Sequence, residues 1–269
     1  MRALASMYAL TELAWIVDLW WEGLARHWRD AGLRDVPEAS EEARDLYGLW
    51  LAPDLFFAQT CGYPLTHRLK GQVTLVATPC YSAPGCEGPT YRSFIVVRED
   101  STIESLADLA GKTAGANGYD SQSGWNVLRR ALAPVLNAPG AFPRIVETGA
   151  HRRSVAAVRA GDVDVAAIDC VTFALLRQAA PNEVEDLRVI AASERAPALP
   201  FITRKDIAPD DLERLREGLR AAMADPDLAD VRRALLIRGV EILPDTAYER
   251  ILEIEREADR LLAMPAEAR

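Results

Sequence analysis

Cysteine and histidine are scarce in this chain, which limits its metal and disulfide chemistry. The 269 residues include four cysteines and three histidines. No two cysteines form a CxxC pair, which argues against a structural zinc site, and we expect no cofactor. Cys80 and Cys86 flank a turn-rich segment that would close into a small disulfide loop under oxidising conditions. A reducing compartment would instead leave two free thiols.

The chain also lacks a long apolar run and an excess of basic residues. Its longest candidate, residues 10–28, is interrupted by Glu12, Asp18, Glu22 and Arg26, whereas a membrane span needs roughly 20 mostly apolar residues. The net charge of −9 argues against a nucleic-acid partner, which would require a basic face. No signal peptide is recognisable, which predicts a cytoplasmic protein, or a periplasmic one if the N-terminus has been trimmed.

Strand and helix patterns alternate along the middle of the sequence. Predicted strands at 112–116, 144–147 and 163–168 each precede a polar cluster and a helical pattern. This alternation predicts parallel βαβ units with helices on both faces of the sheet. From residue 209 to residue 263 we expect a helical chain, interrupted only by Asp225-Pro226 and Pro244.

The length of 269 residues suits two compact lobes better than one domain. We expect residues 1–92 and 195–269 to form a discontinuous first lobe that includes the C-terminal helices. Residues 93–194 would form a second, inserted α/β lobe. Two crossings would then join the lobes and act as a hinge that closes around a ligand. We expect a monomer.

Polar clusters follow three predicted strands of the second lobe. Ser121, Ser123 and Gly124 stand at the start of a helical run, His151 opens the next helix, and Asp169 ends the following strand. Backbone N–H groups at helix N-termini are unpaired and carry partial positive charge. Together with the serine hydroxyls, they predict a binding site for a small anion.

Two of these residues have structural alternatives. Asp169 would accept a hydrogen bond from a protonated ligand oxygen or from an ammonium group, or would instead cap the helix that follows it. His151 would donate to the ligand, or would be the solvated first residue of its helix. The sequence leaves both pairs of alternatives open.

The first lobe contains a segment of similar plan. An acid, an apolar strand, a polar residue and a cysteine occur in the same order at 54–61 and at 164–170. If both strand ends face the ligand, Gln59 and Thr60 contact it from the first lobe. The alternative is a coincidental likeness between two buried strands.

The motifs resemble the PhnD-like family of phosphate-, phosphite- and phosphonate-binding proteins of ABC importers. They are Tyr91-Arg-Ser-Phe-Ile-Val-Val-Arg98, Asp120-Ser-Gln-Ser-Gly124, Gly149-Ala-His-Arg-Arg-Ser154 and Gly161-Asp-Val-Asp-Val-Ala-Ala-Ile-Asp169. The resemblance implies a two-lobed α/β fold of the periplasmic-binding type II class, with a mostly parallel sheet in each lobe. It also implies a small oxyanion ligand and importer membrane subunits as partners.

The resemblance further implies roles for individual residues. Ser121, Ser123 and Gly124 would bind the oxyanion through hydroxyl and N–H groups, and His151 would donate a further hydrogen bond. Asp169 matches the acid of the family. Tyr91 would line the cleft near the hinge, and Tyr8 and Tyr63 would contribute from the first lobe by position.

Two other function classes use the same residues. An enzyme would require Ser, His and Asp in a triad, or Cys61 or Cys170 paired with His151. The serine cluster lacks the GxSxG pattern and no third orienting group is evident for either cysteine, so we predict that the protein is not an enzyme. A cytoplasmic ligand sensor of the same fold remains an alternative.

Overall fold

The computed structural model describes residues 1–8, 10–42, 44–136 and 144–262. Within it the chain divides into two compact units. The first contains Met1–Thr90 and Pro197–Ala247, and the second contains Tyr91–Ala196 and the chain from Tyr248 onward. The chain therefore passes between the units three times, whereas the sequence predicted two crossings. No helix in the described ranges is long and apolar enough to cross a membrane.

The helices, in chain order, are α1 (Ala14–Asp30), α2 (Leu46–Trp50), α3 (Gly62–Thr66), α4 (Val127–Leu132), α5 (His151–Ala160), α6 (Cys170–Ala179), α7 (Pro209–Ala224), α8 (Ala229–Ala234) and α9 (Glu249–Leu262). The strands are β1 (Arg2–Leu4), β2 (Leu55–Gln59), β3 (Val73–Tyr81), β4 (Thr90–Tyr91), β5 (Ser93–Arg98), β6 (Thr113–Ala116), β7 (Arg144–Glu147), β8 (Val165–Asp169), β9 (Leu187–Ala192), β10 (Ala196–Pro197), β11 (Phe201–Arg204) and β12 (Ile237–Glu241). A π-helical turn (Gln122–Asn126) precedes α4.

The first unit is built on a sheet in the order β1-β2-β11-β3-β12. Helix α1 packs on the core of this unit, and its Trp20, Leu24 and Trp28 are fully buried. The Trp28 ring packs on the rings of Phe56 and Phe57 from β2, with centroids 5.3 and 4.8 Å away. Strand β11 runs antiparallel to both β2 and β3, so this sheet is mixed, whereas a mostly parallel sheet was expected in each lobe.

We expected a helical chain from 209 to 263, and this prediction is wrong at residues 237–241, which form strand β12. It pairs antiparallel with β3. Its sequence is Ile-Arg-Gly-Val-Glu. Ile237 is buried, whereas the next residue, Arg238, is exposed. The short alternating segment forms a strand because it meets the edge of β3, a partner distant in sequence.

The second unit is built on a sheet in the order β7-β6-β8-β5-β9. Strand β6 runs parallel to β7 and β8, and only β5 runs against its neighbours β8 and β9. The mostly parallel sheet predicted for this unit is therefore confirmed. Its core contains apolar residues of the strands and of α4, among them Ile95, Val97, Ala114, Leu128 and Val165.

Helix α9 belongs to the second unit, whereas the predicted domain assignment placed the C-terminal helices in the first lobe. It packs against α4 and the π-helical turn of the second unit, and Ile251, Ile254 and Ala258 form its buried face. Periodicity predicts such an apolar face but does not identify the surface that covers it. The predicted helical stretch ends at residue 263 and the predicted lobe at residue 269. Residues 263–269 lie outside the described residues.

Candidate functional site

One edge of the second sheet carries the predicted second-lobe residues. Because β6 is parallel to both β7 and β8, the carboxyl ends of these three strands lie at the same edge. The turn that starts at Ser121 follows β6, His151 begins α5 after β7, and Asp169 ends β8. Strand β5 starts at this edge, since Ser93 pairs with Asp169, and Tyr91 lies two residues earlier.

A serine and a histidine from two different segments meet at this edge. Ser123 Oγ lies 2.7 Å from His151 Nε2. Ser123 is buried and belongs to the π-helical turn, a form that occurs frequently at functional sites. This contact joins the first two predicted clusters, which are 28 residues apart in sequence.

Ser121 caps the π-helical turn. Its Oγ accepts a hydrogen bond from the Gly124 N–H at 3.0 Å, so the backbone donor predicted for Gly124 is already used. Among the described residues, no acceptor pairs with the N–H groups of Gln122 and Ser123, as expected at the start of a helical segment. The available backbone donors are therefore one and two residues earlier than predicted.

His151 lies in an environment that keeps its ring neutral. Burial lowers the pKa of His151 to about 4, and the nearby backbone of Ala167 opposes that shift. The pKa falls because burial disfavours the charged imidazolium. At neutral pH the ring therefore carries one N–H, and Nε2 is the nitrogen that meets Ser123. His151 is half-buried and its Nε2 contacts Ser123, so its ring is not fully solvated.

The depressed pKa of His151 predicts a pH-dependent stability of the free protein. Above about pH 6.5, the ordinary histidine pKa, the ring is neutral in both the folded and unfolded states, and the contribution to stability is complete. Between pH 6.5 and pH 4 only the unfolded state takes up the proton, so the folded state loses stability as the pH falls. We expect a loss of about 2 kcal/mol at pH 5 from this residue.

Urea unfolding of the wild type and of His151→Gln at pH 7 and pH 5 measures this loss. The substitution should remove about 2 kcal/mol of the pH dependence of the unfolding free energy. His67→Gln changes an exposed histidine and should retain the pH dependence that His151 causes. Equal pH dependence in the wild type and His151→Gln would contradict the assignment of a neutral buried ring.

Asp169 caps helix α6. Its Oδ1 accepts hydrogen bonds from the N–H groups of Val171 at 2.7 Å and Thr172 at 3.0 Å, and the residue is buried. The helix-capping alternative is therefore confirmed for Asp169. A ligand contact through the carboxylate stays a prediction, and it would have to coexist with the cap.

Several buried polar atoms in the segments at this edge have no hydrogen-bond partner among the described residues. They are Ser93 Oγ, Asn117 Oδ1, Gln122 Nε2, Asn126 Oδ1 and His151 Nδ1. Buried polar groups are normally paired, so each unpaired group indicates a missing partner such as water or a ligand. The sequence analysis missed these residues as members of the site, although Asn117 and Gln122 stand within its first polar cluster.

In the first unit, Gln59 has a structural role instead of the predicted ligand role. Its Nε2 donates to the Tyr81 hydroxyl at 2.8 Å and to the Leu199 carbonyl at 3.1 Å. Its Oε1 accepts from the Met7 N–H at 2.8 Å. Both amide hydrogens are used, so the side chain connects three segments of the unit and has no donor left for a ligand.

The other predicted residues of the first unit have different surroundings. The Tyr8 ring packs edge-on against the Tyr81 ring at 5.3 Å, and the Tyr63 ring stacks on His67 at 3.8 Å. Thr60 Oγ1 is buried and has no hydrogen-bond partner within the described residues. Ligand contacts by Tyr8, Thr60 and Tyr63 stay predictions.

Metal and thiol chemistry find no support in the part of the chain described above. No group of His, Cys, Asp and Glu residues there could hold a metal ion. The four cysteines are free thiols, and burial together with Glu241 raises the pKa of Cys80 to about 11. No carboxylate pairs with the Nδ1 of His151, so the Ser123–His151 contact lacks the third member of a catalytic triad.

Comparison with known proteins relates these features to a family. The model of the periplasmic substrate-binding proteins of phosphonate ABC transporters matches residues 53–248. The curated phosphonates-binding periplasmic protein of Escherichia coli (strain K12) is 31% identical over 146 residues, which are 52% of this chain. The alignment spans 41% of that relative, less than half of its length.

Two solved structures are similar over nearly the whole chain. A binding protein component of an ABC phosphonate transporter from Pseudomonas aeruginosa has a TM-score of 0.77 at 21% identity, covering 97% of this chain and 86% of that chain. PhnD1 from Prochlorococcus marinus (MIT 9301), solved in complex with methylphosphonate, has a TM-score of 0.75 at 14% identity, covering 96% and 97%. These likenesses confirm the predicted type II periplasmic-binding fold.

The family match and the fold agree with the resemblance inferred from the motifs at 91–98, 120–124, 149–154 and 161–169. The family consists of binding proteins for transport, not of enzymes. This chain belongs to the family of periplasmic substrate-binding proteins of phosphonate ABC transporters.

Proposed function

We propose that the protein binds a small phosphorus oxyanion, a phosphonate, phosphate or phosphite, at the shared edge of the second sheet. The observation that carries the proposal is the 2.7 Å contact between Ser123 and His151 at the start of a helical segment. The hydroxyls of Ser121 and Ser123, the N–H groups of Gln122 and Ser123, and His151 Nε2 form the donor set.

The donor set matches the requirements of a tetrahedral oxyanion. Each hydrogen bond to a charged group contributes about 1.5–3 kcal/mol net. Four or five such bonds, reduced by the cost of ordering the ligand, are compatible with a binding free energy near −8 kcal/mol, which corresponds to a micromolar dissociation constant. The N-terminus of the helical segment adds a favourable dipole.

The neutral state of His151 also suits an anionic ligand. When the proton of the neutral ring is on Nε2, the ring donates one hydrogen bond toward the Ser123 side of the site. The negative charge of a bound oxyanion raises the pKa of a neighbouring histidine. Binding would thus move the pKa of His151 upward from about 4.

The remaining predicted contacts belong to the same proposal. Asp169 and Tyr91 would add contacts from the second unit, and ligand contacts by Tyr8, Thr60 and Tyr63 stay predictions. Gly124 would contribute by permitting close approach to the turn. The membrane subunits of an ABC importer would receive the ligand from a monomeric protein in the periplasm.

A thermal-shift panel tests the proposal. The protein is unfolded, refolded to remove bound ligand, and melted with phosphate, phosphite, methylphosphonate, 2-aminoethylphosphonate, sulfate and acetate at 1 mM. A ligand at 100 times its dissociation constant stabilises the folded state by about 2.7 kcal/mol, which corresponds to a rise in Tm of about 5–10 °C for a protein of this size.

We expect at least one phosphorus oxyanion to produce this shift and acetate to produce none. A response to acetate alone, or the absence of any response, would contradict the proposed ligand class. The sensor alternative predicts the same ligand response, so it is separated by a pull-down with the membrane subunits of a phosphonate ABC importer.

A further inference from the structure

A buried asparagine joins the candidate site to the C-terminal helix. The Asn126 side chain has 0% exposure, and its Nδ2 donates to Gln122 Oε1 at 2.7 Å and to the Ile251 carbonyl at 3.1 Å. Gln122 is the first residue of the π-helical turn and Asn126 is the last. One side chain therefore connects both ends of the turn that carries Ser123 to helix α9.

Helix α9 is held to the second unit along its length. Arg130 pairs with Glu257 at 2.8 Å, and Arg129 pairs with Asp259. Near the start of the helix, Arg250 pairs with Glu194. These ion pairs flank the buried apolar face of the helix. The hydrogen bond from Asn126 thus ends on a firmly packed segment, which lies just beyond the 53–248 range matched by the family model.

The π-helical geometry of the turn makes such support necessary. A π turn has one residue more per turn than an α-helix and is rare. If the turn reverted to α-helical geometry, each side chain before the slip would rotate by about 100° around the helix axis relative to α4. Ser123 would then lose its 2.7 Å contact with His151.

We propose that Asn126 is a positioning residue for the oxyanion site, using helix α9 to keep the turn in the geometry in which Ser123 reaches His151. This inference rests on the proposed function for its effect on ligand binding. Its effect on the Ser123–His151 contact is independent of any ligand.

The substitution Asn126→Leu tests this role with two measurements. It removes the donor but keeps a side chain of similar size, so Gln122 Oε1 and the Ile251 carbonyl lose their partner. We expect the dissociation constant for methylphosphonate, measured by calorimetry, to rise at least tenfold. The chain has only three histidines, so the ring signals of His151 can be resolved by NMR, and we expect them to move toward their positions in Ser123→Ala.

Asp259→Asn is the matched control, because it weakens an ion pair of the same helix and leaves Asn126 intact. We expect it to keep the dissociation constant within twofold and the His151 signals unchanged. A folded Asn126→Leu protein with wild-type affinity and wild-type His151 signals would overturn the proposal. An equal loss of affinity in Asp259→Asn would do the same, since it would reflect general loosening of the helix.

A second variant and the ligand-free readout keep the test decisive. If Asn126→Leu does not fold, Asn126→Ala removes both hydrogen bonds with a smaller side chain, and unchanged His151 signals in this variant overturn the proposal. If the wild type does not bind methylphosphonate, the proposed ligand is wrong, and the His151 signals of the free protein still decide the role of Asn126.

Discussion

Replacing Ser123 with alanine is expected to weaken binding of the stabilising oxyanion by about 10- to 150-fold, the equivalent of one lost hydrogen bond to a charged group. The substitution removes a hydroxyl that lies 2.7 Å from His151 Nε2. It also leaves that nitrogen without its partner. His151→Ala should produce a loss of similar size, because it removes the other member of the same contact.

The two substitutions should not be additive. Residues in direct contact share their interaction energy, so the double variant Ser123→Ala/His151→Ala should lose less affinity than the sum of the single losses. Calorimetric titration of the four proteins measures this coupling. Ser105→Ala is a suitable control, since it removes a hydroxyl from a helix cap of the same unit and should leave affinity unchanged. Wild-type affinity in both single variants would exclude this pair from the binding site.

Replacing Gly124 with alanine should disrupt the site through a steric clash. A Cβ atom at this position would lie 1.6 Å from Asn117 Oδ1, 2.7 Å from its Cγ and 3.2 Å from its backbone nitrogen. The Asn117 side chain, whose Oδ1 is buried, would have to leave its position. We expect a destabilisation of about 1–3 kcal/mol and a loss of oxyanion affinity of at least tenfold.

Thermal unfolding and calorimetry of three variants separate the clash from other effects. Gly239→Ala is the control, because no atom lies within 4 Å of its added Cβ. If the clash is the cause, Asn117→Ala should restore part of the stability lost in Gly124→Ala. A Gly124→Ala protein that melts and binds like the wild type would show that Asn117 moves freely and does not shape the turn.

Several features of the molecule were readable from local sequence patterns. Strand β7 lies at the predicted residues and helix α5 begins at His151 as predicted, because hydrophobic periodicity reports which face of an element is buried. The convergence of Ser121, His151 and Asp169 on one sheet edge followed from βαβ alternation, since parallel strands bring their carboxyl ends together. The first polar cluster was placed correctly at a helix start, and the family followed from the motifs in the same region.

Other features depended on partners distant in sequence. Gln59 had the position of a ligand residue, yet Tyr81 and Leu199 occupy its amide group. Asp169 had two possible roles, and the backbone of α6 supplies its partners. A local pattern names the donors and acceptors that a side chain offers, but it does not say which groups the fold brings within hydrogen-bond distance.

The sequence alone determined the α/β class, the parallel strands β6, β7 and β8 of the second sheet and the family, because these follow from periodicity and from motifs along short segments. The tertiary structure decided the pairing of β12 with β3, the packing of α9 beside the π-helical turn and the neutral state of His151. Each of these depends on which surfaces bury one another, and burial is a property of contacts between segments far apart in the chain.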